Sequence, residues 1–160
     1  MIDFSNLSLV LFDFDDTLCI HSRIIDYDYK TYCKAMLKSC DWWTDIGCKP
    51  STHMKDFIEA LQQNKVQLGL ISATRTYIQM TRKIEWVKKN YNTDLENYCV
   101  AKGTHKVEMM EILSEAYNIP RNKILIVDDK EEILSEAVKD GFQAASPMEV
   151  VNFIDNGNEA

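Results

Sequence analysis

Leu9-Val10-Leu11-Phe12-Asp13-Phe14-Asp15-Asp16-Thr17 decides how this chain is read. Four apolar residues in a row, closed by acids, read as a short strand buried on both faces, as in a parallel sheet. The same texture returns at residues 66–72 (VQLGLIS) and 124–127 (ILIV), the second running into Asp128-Asp129. Residues 98–101 read as a weaker strand, and residues 142–145 as a short last one.

Helical periodicity fills the gaps. Tyr77, Met80, Ile84, Val87 and Tyr91 step by three and four, and Val107, Met110, Ile112, Leu113 and Ala116 suggest a further helix. A helix over about 130–139 has Gly141 placed as its C′ residue, and another covers about 148–154. Asp129 and Glu132 have the spacing of a capping box. Ser72 or Thr74 is placed to cap the helix after the second strand. The tail, 156–160, is expected to fray. Strands alternating with helices predict an α/β fold with a parallel sheet.

One stretch departs from that alternation. Residues of about 19–65 exceed what one crossover needs, so they should form a small accessory insert beside a core of 1–18 and 66–155, within one domain of 1–160. Tyr29, Tyr32, Cys33, Met36, Leu37 and Cys40 predict a first insert helix, and Met54, Phe57, Ile58 and Leu61 a second, opened by Ser51 or Thr52. Gly47 and Pro50 mark 42–50 as a loop. Trp42-Trp43 in that loop either packs insert to core or walls the site.

Composition narrows the class. The chain has 160 residues, 46% of them apolar and 27% charged, which excludes a disordered chain. No apolar run approaches the ~20 residues of a membrane span. A formal net charge of -7 argues against generic binding of nucleic acid or anionic membrane. The N-terminus lacks a basic n-region, and the expectation is a cytoplasmic protein. Five cysteines at irregular spacing do not form a disulfide framework. A zinc site would need Cys40, Cys48 and His53 to meet in space; otherwise the cysteines are reduced, partly buried thiols.

In an open parallel sheet, ligands bind beyond the carboxyl ends of the strands. The predicted strands end in Asp13-Phe14-Asp15, Ser72-Ala73-Thr74-Arg75, and Asp128-Asp129, while Lys106 opens the helix that leads to the last acids. Asp13 and Asp15 lie two apart and face one side while the chain is extended. Crowded carboxylates need a cation or a proton between them. An all-oxygen cluster with Asp128 suits Mg²⁺, which would in turn bind a phosphate. Ser72 can donate to a phosphoryl oxygen, and Lys106 adds positive charge at a helix start.

These features in this order resemble the haloacid dehalogenase-like (HAD) superfamily. Leu11-Phe12-Asp13-Phe14-Asp15-Asp16-Thr17-Leu18 matches its first motif, Leu70-Ile71-Ser72 the second, Lys106 the third, and Ile124–Val127 with Asp128-Asp129 the fourth. Asp16 stands where many members have glycine. The resemblance implies a Rossmann-like three-layer sandwich with a parallel sheet of order 3-2-1-4-5 and a small flap or helical insert after strand one. It implies an Mg²⁺-dependent phosphomonoester hydrolase with Asp13 as nucleophile and Asp15 as general acid and base. Asp13, the Asp15 backbone carbonyl and Asp128 would hold the metal, and Ser72 and Lys106 the phosphoryl oxygens. Asp129, Thr17 and Arg75 are secondary candidates, and Lys102 is a rival to Lys106. Asp15 favours phosphoryl transfer, since dehalogenase members lack that second acid.

The lack of a large cap is similar to the capless magnesium-dependent phosphatases. It implies a phosphorylated partner, either a small molecule or a phosphoprotein or nucleic-acid end. A phosphotransferase and a catalytically silent binding domain are the alternatives. A receiver domain is disfavoured by the order of acids and lysine. Arg75, Arg82 and Lys89, with Lys83 and Lys88 beside them, read as a basic ridge, either a solvated face or one that steers an anionic substrate, with Arg75 the exception because it follows the second motif directly; His21 reads as a polar flap residue.

Overall fold

The computed structural model describes residues 4–21 and 27–157. After a short 3-10 turn at Phe4–Asn6 come strand β1 (Leu9–Phe12) and the two-residue strand β2 (Cys19–Ile20). Helices α1 (Tyr29–Lys38) and α2 (Trp42–Asp45) follow, then strand β3 (Lys49–Pro50) and helix α3 (Thr52–Gln63). Strand β4 (Gln67–Leu70), helix α4 (Tyr77–Tyr91), strand β5 (Glu96–Asn97) and helix α5 (Lys106–Ala116) come next. The chain closes with β6 (Ile124–Val127), α6 (Glu131–Lys139), β7 (Gln143–Ala145) and α7 (Pro147–Gly157). Of the predicted frayed tail, residues 158–160 lie outside the described residues.

Five strands form one parallel sheet in the order β5-β4-β1-β6-β7. Counted among the sheet strands alone, this is the 3-2-1-4-5 order. The detail that differs is the third core strand. It pairs at Glu96–Asn97, with a single further bridge from Val100 to Ala73, rather than over 98–101.

Strand geometry sends alternate side chains to opposite faces, and the core divides accordingly. Val10 and Phe12 pack with Met54, Phe57, Trp86 and Val150 from α3, α4 and α7. Leu9 and Leu11 pack on the other face with Val107, Met110, Ile133 and Leu134 from α5 and α6. The result is three layers with β1 at the centre, fully buried. Gly69 in β4 answers to a close approach: a Cβ there would lie 2.5 Å from the Tyr98 ring.

The insert departs from the predicted loop at 42–50, which contains α2 and β3. β2 and β3 pair antiparallel, Cys19 opposite Pro50, making a small flap next to the end of β1. Trp43 is buried and meets Phe14 edge-on at 4.8 Å, so it packs insert to core. The basic ridge is a clamp. Arg82 donates to the Met36 and Leu37 carbonyls, and Lys89 pairs with Asp41. The buried side of α4 is Lys83, Trp86, Val87 and Tyr91, while Tyr77 is exposed. The predicted stripe is therefore rotated, because α4 packs its later turns on the flap as well as on the sheet.

Two predicted caps give way to neighbours. Thr76, not Ser72 or Thr74, caps α4 by accepting from Gln79 N–H. Asp129 does not cap α6. The capping position falls on Lys130, whose side chain makes no cap bond.

Candidate active site

Sheet register brings the candidate residues together. Phe12 is level with Leu70 on one side and Val127 on the other. The Asp13 N–H donates to the Val127 carbonyl, and the Ile71 N–H to the Phe12 carbonyl. Asp13, Ser72 and Asp128 therefore leave the sheet at its centre, side by side, and all three are buried.

Lys106 comes in from the first turn of α5. Its Nζ donates to Asp13 Oδ1 at 2.8 Å and to Asp128 Oδ2 at 2.6 Å, with all three side chains almost wholly buried. Lys102 is exposed, so the rival is out of the site. Burial pushes the Asp13 carboxyl up. The Lys106 ammonium pulls it down, Asp128 and Asp15 push it up again, and the balance is about 6. Burial alone would lower Lys106, but the two carboxylates reverse that and raise it.

Beyond Asp13 the chain turns. Asp16 adopts φ 57°, a left-handed conformation in which glycine is the least strained residue. The three N–H groups of Thr17, Leu18 and Cys19 converge on the Phe14 carbonyl. The Thr17 hydroxyl is buried with no hydrogen-bond partner among the described residues. Asp15 projects from this turn with its side chain 52% exposed.

Asp15 has two partners that sequence reasoning assigned elsewhere. Lys83 Nζ donates to Asp15 Oδ2 at 2.9 Å and to Ser72 Oγ at 2.8 Å, from a side chain 1% exposed. It was expected in a solvated ridge and is instead inside the site. The readable signal was its spacing, three and four residues before Trp86 and Val87. His21 Nε2 lies 3.2 Å from Asp15 Oδ1. Its place in a Cys-x-His triplet just past the first motif was the signal there. The surrounding protein pushes the Asp15 carboxyl up, but the His21 hydrogen bond and the Lys83 charge hold it well below the ordinary range. That same hydrogen bond raises His21, against the effect of its burial.

Carboxylate oxygens of Asp13, Asp128 and Asp129 lie within 4.8 Å of one another. This is an all-oxygen set of the kind a hard cation takes. A carboxylate oxygen bonded to Lys106 keeps a second lone pair, so the lysine does not use up the donors. Burial raises Asp129, and the Asp128 charge adds to it. The zinc combination Cys40, Cys48 and His53 does not assemble. Among the described residues, the cysteines that meet a histidine are Cys19 and Cys48, at His21.

Arg75 is exposed and lines a cleft of about 590 Å³ with Tyr27, Tyr32, Met36 and Gln79. Burial raises the Tyr27 and Tyr32 phenols, and the Asp15 charge adds to both. No helix among the described residues is long and apolar enough to cross a membrane.

No family model matches the chain. No curated protein matches it either. Solved structures do. A HAD family enzyme from Bacteroides thetaiotaomicron, in complex with magnesium and inorganic phosphate, is 14% identical, with a TM-score of 0.55 over 88% of this chain and 93% of that one. The cobalt-bound deoxy-D-mannose-octulosonate 8-phosphate phosphatase of Haemophilus influenzae is 14% identical, with a TM-score of 0.53 over 88% and 68%. A hypothetical protein from Xanthomonas campestris is 13% identical at a TM-score of 0.56, and there the match spans 89% of this chain but 64% of the other. The fold is that of the HAD-like hydrolases.

Proposed function

We propose that this protein is a phosphomonoester hydrolase of the HAD type, acting through a phosphoryl group carried on Asp13. The observation that carries the reading is the paired geometry. Asp13 and Asp15 each have their own buried lysine, and Asp13 lies beside Asp128 at the centre of the sheet edge.

Asp13, Asp128 and the Asp15 backbone carbonyl would hold Mg²⁺, with Asp129 at its edge. When bound, the ion offsets the repulsion between an anionic nucleophile and an anionic phosphate. The free Asp13 carboxylate oxygen attacks phosphorus, and the ester P–O bond breaks with its electron pair going to the leaving oxygen. Asp15 and His21 together hold one proton, and Asp15 delivers it to that oxygen. Asp15 then takes a proton from water. The water oxygen bonds to phosphorus, the Asp13–phosphorus bond breaks, and phosphate leaves with Asp13 again a carboxylate. Lys106 and the Ser72 hydroxyl steady the phosphoryl oxygens. Lys83 keeps Ser72 and Asp15 in place between the two steps. The alcohol portion of the substrate lies in the tyrosine-lined cleft, against Arg75. The working unit is one domain of residues 1–160, with the flap as its accessory element.

The test is hydrolysis of an aryl phosphate with Mg²⁺, with a chelator, and with Asp13→Asn. Turnover that needs Mg²⁺ and disappears in the variant supports the reading. Turnover that survives Asp13→Asn overturns the nucleophile. Absence of both turnover and Mg²⁺ binding turns the reading to a silent binding domain.

A further inference from the structure

We propose that Cys19, His21 and Cys48 form a second cation site, for a soft divalent ion of the Zn²⁺ class, at the base of the flap. It involves none of the carboxylates assigned to Mg²⁺, and it stands whether or not the protein turns over phosphate esters.

Ligand chemistry and position both point there. Antiparallel pairing of β2 with β3, continued by one residue, sets Cys48 opposite His21, and Cys19, two residues before His21, presents its side chain to the same face. Backbone hydrogen bonds fix both cysteines: Cys19 N–H donates to the Phe14 carbonyl and Cys48 N–H to the Trp43 carbonyl. His21 N–H donates to Asp16 Oδ1. One sulfur from each cysteine and one ring nitrogen all lie within 4.8 Å of each other. His21 Nδ1 is 3.5 Å from Cys48 Sγ. A tetrahedral zinc with ordinary bond lengths has a sulfur–nitrogen edge of about 3.5 Å and a sulfur–sulfur edge of about 3.8 Å. The cluster therefore needs shifts of less than about 1 Å to close on an ion.

The orientation of His21 adds a second, independent argument. With Nδ1 turned to the sulfurs, Nε2 faces the Asp15 carboxylate at 3.2 Å. A histidine that ligates a metal characteristically donates its other ring N–H to a carboxylate, which fixes the tautomer and the ring plane. The arrangement is therefore built on both sides. Two thiolates would neutralise a divalent charge where both cysteines are buried, and binding releases two protons, one from each thiol. One tetrahedral position remains for water. Such an ion would pin the flap to the end of β1 and lock the His21 ring against Asp15.

The experiment is titration of the reduced, metal-free full chain with Co²⁺, then displacement by Zn²⁺, in saturating Mg²⁺. The expected result is one Co²⁺ per chain. It should show the thiolate-to-cobalt charge-transfer band and the intense visible bands of a tetrahedral ion, both abolished by stoichiometric Zn²⁺. Cys48→Ser and His21→Gln should each weaken Co²⁺ binding by about 100-fold or more. Cys33→Ser and Cys99→Ser should leave the spectrum unchanged. Asp13→Asn should also leave it unchanged, which separates this site from the catalytic reading. Weak, octahedral-type absorption, or a tetrahedral spectrum that persists in both Cys48→Ser and His21→Gln, overturns the proposal. So does a reduced protein that takes up no Co²⁺ while its melting temperature matches the untreated chain.

Discussion

The two lysines of the site reach it by different routes. Lys106 enters from the first turn of α5 and closes on Asp13 and Asp128, both rooted at strand ends and almost wholly buried. Lys83 enters from the middle of α4 and closes on Ser72 and on Asp15, whose side chain is 52% exposed. The sheet half is dry and held by register. The flap half borders solvent and depends on how a helix is rotated. The same ion-pair chemistry should therefore do different work on the two sides: folding and charge balance at Lys106, proton control at Lys83.

The largest effect should come from Lys106→Met. It leaves two buried carboxylates without a counter-charge, which costs about 3–5 kcal/mol in the metal-free protein. Denaturant unfolding in a chelator would show this as a lower midpoint with an unchanged slope. Turnover should fall by about 10³-fold even with Mg²⁺ present. A variant as stable as the parent would break the comparison, since it would mean that water reaches Asp13 and Asp128.

Lys83→Met should lower turnover by about 10²-fold with a smaller loss of stability, because Asp15 can be solvated where Asp13 cannot. The diagnostic is the pH profile. Without the ammonium the Asp15 carboxyl rises toward its ordinary range, so the acid limb of kcat/KM moves to higher pH. A drop in turnover with no movement of that limb would reduce Lys83 to a support for Ser72.

The difference between the halves is also a difference in what could be read. The central strands, Asp13, Asp128 and Lys106 were legible because buried parallel strands are apolar runs whose ends meet at one edge; the strand order came from the family resemblance, not from the runs. Asp16 was legible as an oddity, and its φ of 57° explains why glycine is common there. Lys83 was not legible. A helix with apolar residues on more than one side has no unique inward face, and a lysine is assigned to water unless its partner is known. His21 and Cys48 were hidden for another reason. They lie on opposite sides of the insert, and a two-residue pairing of β2 with β3 leaves almost no periodic trace.

Burial at Asp13 can be tested by pH. Its carboxyl holds a proton up to about 6 in the folded protein against an ordinary 3.8. Between those values the folded state binds more protons than the unfolded state, so this group's contribution is full below 3.8 and is lost as pH rises through 6. Asp13→Asn removes that loss. In chelator, the variant should therefore gain stability relative to the parent between pH 4 and pH 7, by on the order of 1–3 kcal/mol. The measurement is the difference in unfolding free energy between the two proteins at each end of the range. A flat difference would mean that Lys106 fully offsets the burial of Asp13.

The smallest effect should be at Arg75, on the rim of the tyrosine-lined cleft. The Arg75 backbone N–H is tied to Gln79 Oε1, while its guanidinium has no ion-pair partner among the described residues. A charge at the rim of an open cleft acts on encounter and ground-state binding more than on the bond being broken. Arg75→Ala should then raise KM by about tenfold and leave kcat nearly unchanged, with the defect shrinking as salt screens the charge. Steady-state kinetics at two ionic strengths would decide it. If kcat falls with KM unchanged, Arg75 contacts the transferring phosphoryl group itself. The division would then be redrawn, with the flap side carrying a share of the charge stabilisation now assigned to Lys106 and Ser72.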